Sequence, residues 1–136
     1  MRHALSLLAI LPALPLAGCV AQAASQHELA GSEWHFVAID GEAAAARDTT
    51  LIFEADRVSA NVGCNGMGGN WRVESDRLIA GPIVQTRMFC QGKVWDQEQA
   101  VSALLVAAPQ VRFEGEALML ESRAHSARLE RRMQGG

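Results

Sequence analysis

The chain has 136 residues, with 12 basic and 15 acidic side chains and a formal net charge of −3. Charges of both signs are interspersed and no basic block could follow a phosphate backbone, which disfavours nucleic acid, and no nucleic-acid partner is expected. The length suits a single domain, and the Val, Ile, Leu, Trp and Phe outside an Ala-rich leader suffice for one modest core.

Met1-Arg2-His3 is a short charged start, followed by an almost uninterrupted apolar run from Ala4 to Leu14. That run is shorter than the ~20 apolar residues a membrane span needs and reads as a signal-peptide core. It closes on Leu16-Ala17-Gly18-Cys19, an ending that resembles the lipobox of bacterial lipoproteins. The resemblance implies cleavage before Cys19, a diacylglyceryl thioether on its sulfur and acylation of the new amino end. The alternative is an ordinary secretory signal cut near Ala21-Gln22-Ala23, with Cys19 incidental. Acyl burial is worth ~0.8 kcal/mol per methylene, so two or three chains anchor a domain almost permanently. Residues 1–18 are therefore read as the leader, and the protein as membrane-anchored through Cys19 without spanning. Val20, rather than Asp, after that cysteine implies outer-membrane sorting under enterobacterial-type rules, with the domain facing the periplasm.

Residues 19–28, rich in Ala, Gln and Ser, read as the lipidated cysteine and a flexible tether. The folded domain is expected over 29–132, with a frayed tail at 133–136. Trp34 to Ile39 is the first strand signal, ended by the turn dipeptide Asp40-Gly41. An Ala-rich loop from Glu42 to Asp48 has room for a short helical turn. Thr49 to Phe53 and Arg57 to Val62 alternate and are joined by Glu54-Ala55-Asp56, which predicts a hairpin. Gly63 to Gly69, with four glycines in seven positions after Val62, reads as a loop. Strands resume at Trp71 to Glu74 and Arg77 to Ala80, and Ile83 to Met88 is extended after Gly81-Pro82. Val94, Gln97, Val101, Leu104, Leu105 and Ala108 follow helical spacing up to Pro109, with Asp96 and Glu98 near the start where the dipole favours acids. Three closing strands, Val111 to Phe113, Ala117 to Glu121 and Ala127 to Arg131, complete about eight. The fold class is therefore α+β: a small curved, antiparallel, barrel-like sheet with one main helix packed on it.

With Cys19 assigned to lipid, Cys64 and Cys90 remain as an even pair in an oxidising compartment, which reads as a disulfide. A sharper alternative adds Met67 and Met88, since two thiols and two thioethers make a soft ligand set suited to Cu(I). Trp34, Trp71 and Trp95 sit in periodic segments and are expected in the core, the alternative being a ligand-binding aromatic floor. His3, His27, His35 and His125 show no zinc spacing. The serines lack a Gly-x-Ser-x-Gly elbow, and Asp96/Glu98 and Glu114/Glu116 read as a helix start and a solvated turn. Arg131-Arg132 reads as a charged sheet edge.

Gly63-Cys64-Asn65-Gly66, Gly81-Pro82 and Thr86-Arg87-Met88-Phe89-Cys90, in that order and followed by the helix and closing strands, resemble the META (HslJ-like) domain family. The match runs from about Leu29 to Arg132; Gly66-Met67-Gly68-Gly69 departs from the family pattern and suggests a looser loop. The resemblance implies a compact α+β domain, an association with heat shock or stress, and no set of catalytic residues. The combined expectation is a non-enzymatic envelope lipoprotein without a cofactor. It would meet an envelope protein or a lipid-like ligand by contact; the alternative is copper or redox handling at Cys64, Met67, Met88 and Cys90.

Overall fold

The computed structural model describes residue 18 and residues 21–133. The leader, Cys19 and Val20 lie outside the described residues, as does the end of the tail from 134. Eleven strands and two helices follow in chain order: β1 Gln22–Ala23, α1 Gln26–Leu29, β2 Ser32–Ile39, β3 Glu42–Ala43, β4 Thr50–Phe53, β5 Arg57–Asn61, β6 Gly66–Glu74, β7 Arg77–Ala80, β8 Val84–Gln85, α2 Gly92–Val106, β9 Gln110–Glu114, β10 Ala117–Glu121 and β11 Ser126–Arg131.

All pairings are antiparallel, and the sheet order β9-β10-β11-β2-β4-β5-β6-β7 returns on itself where Arg77 of β7 meets Gln110 of β9. The result is a ring rather than a regular barrel. The β7–β9 seam is a single residue pair; β1 adds to it by pairing Gln22 with Phe113 and Ala23 with Arg112. The short strands β3 and β8 attach to β2 and β6.

Alternation carries the core. Trp34, Phe36 and Ile39 of β2, Leu51 and Phe53 of β4, and Val58 and Ala60 of β5 are buried, with neighbouring positions half-buried or exposed. The closing strands supply Val111, Leu118, Leu120, Ala127 and Leu129. The helix α2 buries Gln97, Val101, Leu104 and Leu105 of the predicted stripe, with Ala100 beside them, leaves Val94 and Ala108 half-buried, and packs on β7 and β2. It stops where Ala108 takes a positive φ of 49° ahead of Pro109.

Five expectations change on contact with the structure. The tether reading of 19–28 is corrected from Gln22 onward. Gln22–Ala23 is a strand on β9, and α1 is capped by a box in which the Ser25 hydroxyl accepts from Glu28 N–H and Glu28 Oε2 accepts from Ser25 N–H. Ala24 and Leu29 are buried in the core, so this segment is bound to the fold by apolar contact and by hydrogen bonds.

The Ala-rich loop holds a strand, β3, instead of a helical turn, because Gln97 of α2 grips its backbone: its Nε2 donates to Ala43 O and its Oε1 accepts from Ala45 N–H. The glycine run is not all loop; β6 begins at Gly66. A Cβ on Gly68 would lie 2.6 Å from Val58 O and one on Gly69 2.5 Å from Pro82 O. These glycines therefore let neighbouring backbones close on the strand. The extended segment Ile83 to Met88 pairs only at Val84–Gln85. Finally, Arg131 and Arg132 do not guard a sheet edge. β11 lies between β10 and β2, Arg131 stacks 4.6 Å over the Trp34 ring, and Arg132 pairs with Glu33 at 3.2 Å.

Candidate functional site

The two motifs meet at Asn65, which follows β5 and is buried. Gly63, two residues earlier, has φ +126°, and a Cβ there would come within 2.6 Å of the Ala46 Cβ; only glycine permits this turn. The Asn65 side chain uses its full hydrogen-bonding capacity. Its Oδ1 accepts from Thr86 Oγ1 at 2.9 Å and from Met88 N–H at 2.7 Å. Its Nδ2 donates to Met88 O at 3.0 Å and to Glu98 Oε1 at 2.8 Å. Asn65 thereby holds the backbone of the Thr86–Cys90 segment much as an extra strand would.

Glu98 is the other half of this node and is 0 % exposed. Its Oε2 accepts from Asn65 N–H at 2.7 Å, and its Oε1 also accepts from Gln85 Nε2 at 2.9 Å. The expectation that Glu98 complements the helix dipole is corrected. The helix begins at Gly92, which puts Glu98 beyond the first turn and on the inward face. Its role is to accept three donors from residues far away in sequence. Asp96 is exposed, and no acid lies in the first turn of α2.

Cys64 and Cys90 are joined as a disulfide, with Cα atoms 6.4 Å apart, beside this node. The sequence separation is 26 residues. Closing such a loop is worth roughly 3 kcal/mol through the unfolded state. Replacing both cysteines by Ala should therefore lower the denaturation midpoint of the oxidised protein, and thiol titration of that protein should find neither Cys64 nor Cys90 free. An unchanged midpoint would remove the structural role.

The four sulfur residues do not form one ligand set. Met67 is buried in the core, while the Met88 side chain is mostly exposed. The sulfurs of Cys64 and Cys90 and a Glu98 oxygen lie within 4.8 Å of one another. In the oxidised state the sulfurs are bonded to each other and the carboxylate oxygens are engaged by Asn65 and Gln85.

With its polar atoms turned inward, the motif segment presents apolar side chains outward. Phe89 is 83 % exposed, Val84 and Met88 are also largely exposed, and the Phe89 ring lies 6.4 Å from Trp95. Ile83, Met88, Phe89 and Trp95, together with the polar Gln85, Thr86, Arg87 and Gln99, line a depression of 490 Å³. The core expectation for the tryptophans is thus met by Trp34 and Trp71 and corrected for Trp95, which is half-buried. Trp34 Nε1 donates to Ser32 and Trp71 Nε1 to Glu54 O, so each satisfies its polar atom on entering the core.

The histidines are scattered. His35 lies 3.7 Å from Glu130, and His125 Nδ1 lies 2.8 Å from Asp40 in the β10–β11 turn. Partial burial pushes the Asp40 carboxyl up, but the Ser126 N–H and His125 outweigh it and hold the group below the usual carboxylate range. Among the described residues no buried side-chain polar atom lacks a partner.

A closed antiparallel ring with one covering helix, and two motifs locked together by an Asn–Glu pair and a disulfide, define a small mostly-β domain. The META domain model matches residues 27–134, and the chain belongs to the META domain family. Two solved structures share the fold. One, titled only as the NMR structure of a protein, aligns with a TM-score of 0.70 at 17% identity, over 79% of this chain and 94% of that one. The other, an NMR structure of a protein from Burkholderia xenovorans, aligns with a TM-score of 0.67 at 21% identity, over 91% of this chain and all of that one. No curated protein matches this chain.

Proposed function

We propose that this META domain is a non-enzymatic, lipid-anchored envelope protein, a stress-related or maintenance factor that works by contact. The contact surface is the segment Val84–Phe89 with Trp95, and its occupant is an envelope protein or a lipid-like ligand. The observation that carries this reading is the division of labour within the second motif. Every polar atom named in its binding to Asn65 and Glu98 is spent on positioning, while Met88 and Phe89 face solvent. Exposing a Phe costs burial energy that an internal packing role would have kept. Exposed Met88 and Phe89, beside a depression that Thr86, Arg87 and Gln99 also line, suit recognition. The lipobox-like ending at Cys19 supports the lipid anchor, and Val20 after it supports the outer membrane with the domain facing the periplasm.

A photoreactive residue at position 89, introduced into the full chain in living cells, should give a discrete higher-mass adduct. The same probe at Arg123, in the β10–β11 turn, should give none. Adducts from position 123 and none from the 84–89 segment would sink the contact reading. Cys19→Ser should abolish acylation and release the protein from membranes or leave it uncleaved, since the thioether needs the sulfur; a fully mature Cys19→Ser protein retained on membranes would remove the anchor. The copper and redox reading needs reduced Cys64 and Cys90, so two free thiols in periplasmic protein, with tight Cu(I) binding, would favour it instead.

A further inference from the structure

We propose that the end of the sheet formed by the β9–β10 turn and the C-terminus of β11 lies against the membrane, its arginines on the phosphates of phospholipid headgroups. This rests on the Cys19 anchor proposed above. The β1–β9 register sets the direction of the chain. Gln22 opposes Phe113 and Ala23 opposes Arg112, so the N-terminal end of β1 lies at the β9–β10 turn end of β9. Gln22 is only three positions from Cys19, a reach of about 11 Å at full extension. Because β1 and α1 are part of the fold, the anchor has no long leash, and the domain must rest on the membrane near its point of exit.

That exit opens onto an independent feature. Beside it lies a cleft of 760 Å³ that includes Phe113, Gly115, Arg128, Arg131 and Met133, and shares no residue with the motif depression. A second cleft, holding His35, Arg47 and Arg132, adjoins it through Glu130, Arg131 and Met133. Four of the chain's twelve cationic residues, Arg47, Arg128, Arg131 and Arg132, thus gather at this end. Four glutamates share it: Glu114, Glu116, Glu130 and Glu33, the last paired with Arg132 at 3.2 Å. Arg47 makes no ion pair among the described residues, and Arg128 reaches Glu114 only at 3.8 Å. Met133 is 88 % exposed beside them, at the level of the interface an apolar side chain would enter. Balanced charge, with Arg47 unpaired among the described residues and Arg128 only loosely held, matches headgroups that carry a phosphate and, in phosphatidylethanolamine, an ammonium.

The test uses the full acylated chain reconstituted in vesicles of phosphatidylethanolamine and phosphatidylglycerol that contain a headgroup-nitroxide lipid. With Cys19 acylated and Cys64 joined to Cys90, a fluorophore goes to the single new thiol of the Met133→Cys chain, or to that of the Arg87→Cys chain as reference. Quenching should be much stronger at 133 than at 87. Arg47→Glu combined with Arg128→Glu should cut that ratio about fivefold or more, since each cation near an anionic surface is worth ~1 kcal/mol. Equal quenching at the two positions, stronger quenching at 87, or a ratio indifferent to the charge reversals would overturn this orientation while leaving the anchor intact. A mature protein whose mass shows no acyl chains on Cys19 would overturn the anchor, and this face with it.

Discussion

Leu104→Ala should destabilise the domain by ~2–5 kcal/mol, the range for a buried leucine cut back to leave a cavity. Leu104 is fully buried on the inward face of α2, within one cluster that includes Val101, Leu105, Trp34 and Val111. The loss should appear as a lower urea midpoint with an unchanged slope, because the surface exposed on unfolding hardly changes. Ser102→Ala is the internal control. Ser102 is half-buried on another face, and its Oγ contact with Gln85 Oε1 is long, 3.4 Å, so the change should stay within about 0.5 kcal/mol. Similar losses at 102 and 104 would mean that α2 does not cover the ring through the Val101–Leu105 stripe.

That stripe was legible because a 3.6-residue period over four turns is a strong signal. The same holds for Val58 and Ala60, where a period of two marks a half-buried strand. The features hidden in the sequence are those that depend on a distant partner. Gly66 to Gly69 reads as loop from composition, and only Val58 O and Pro82 O, brought close by folding, explain glycines inside a strand. Gln22–Ala23 is too short to alternate, and its pairing depends on the incomplete β7–β9 seam. Gln97 was placed on the apolar stripe, but its grip on Ala43 and Ala45 reaches back more than fifty residues.

For the candidate site, the motif residues were visible and their connection was not. Cys64, Asn65, Thr86, Met88 and Cys90 were identified by their pattern, and the structure brings them together. From the sequence Glu98 reads as an acid complementing the dipole at a helix start. One signal could have found it: Glu98 falls three and seven residues before Val101 and Leu105, so it shares their apolar stripe. An acid on such a stripe is rarely buried without a specific set of donors.

Glu98→Ala should accordingly cost ~3–5 kcal/mol, as much as any single truncation in the core. The substitution leaves Asn65 N–H, Asn65 Nδ2 and Gln85 Nε2 without their acceptor, the first two in the interior, and each such orphan costs about 1–3 kcal/mol. Glu98→Gln should fall between Ala and the parent. Its amide oxygen can still accept two bonds, but its NH₂ then faces another donor in place of Oε2. Asp96→Ala, on the exposed face of the same helix, should change stability by less than about 0.5 kcal/mol. Stability alone would not separate a core defect from a defect of the node, so the second readout is local. Asn65 holds Met88 N–H and C=O only while Glu98 orients it, and Met88 N–H exchange should accelerate in Glu98→Gln under native conditions. In Leu104→Ala, exchange at Met88 should follow global unfolding instead. A Glu98→Ala domain as stable as its parent would show that the buried carboxylate does not hold the two motifs together.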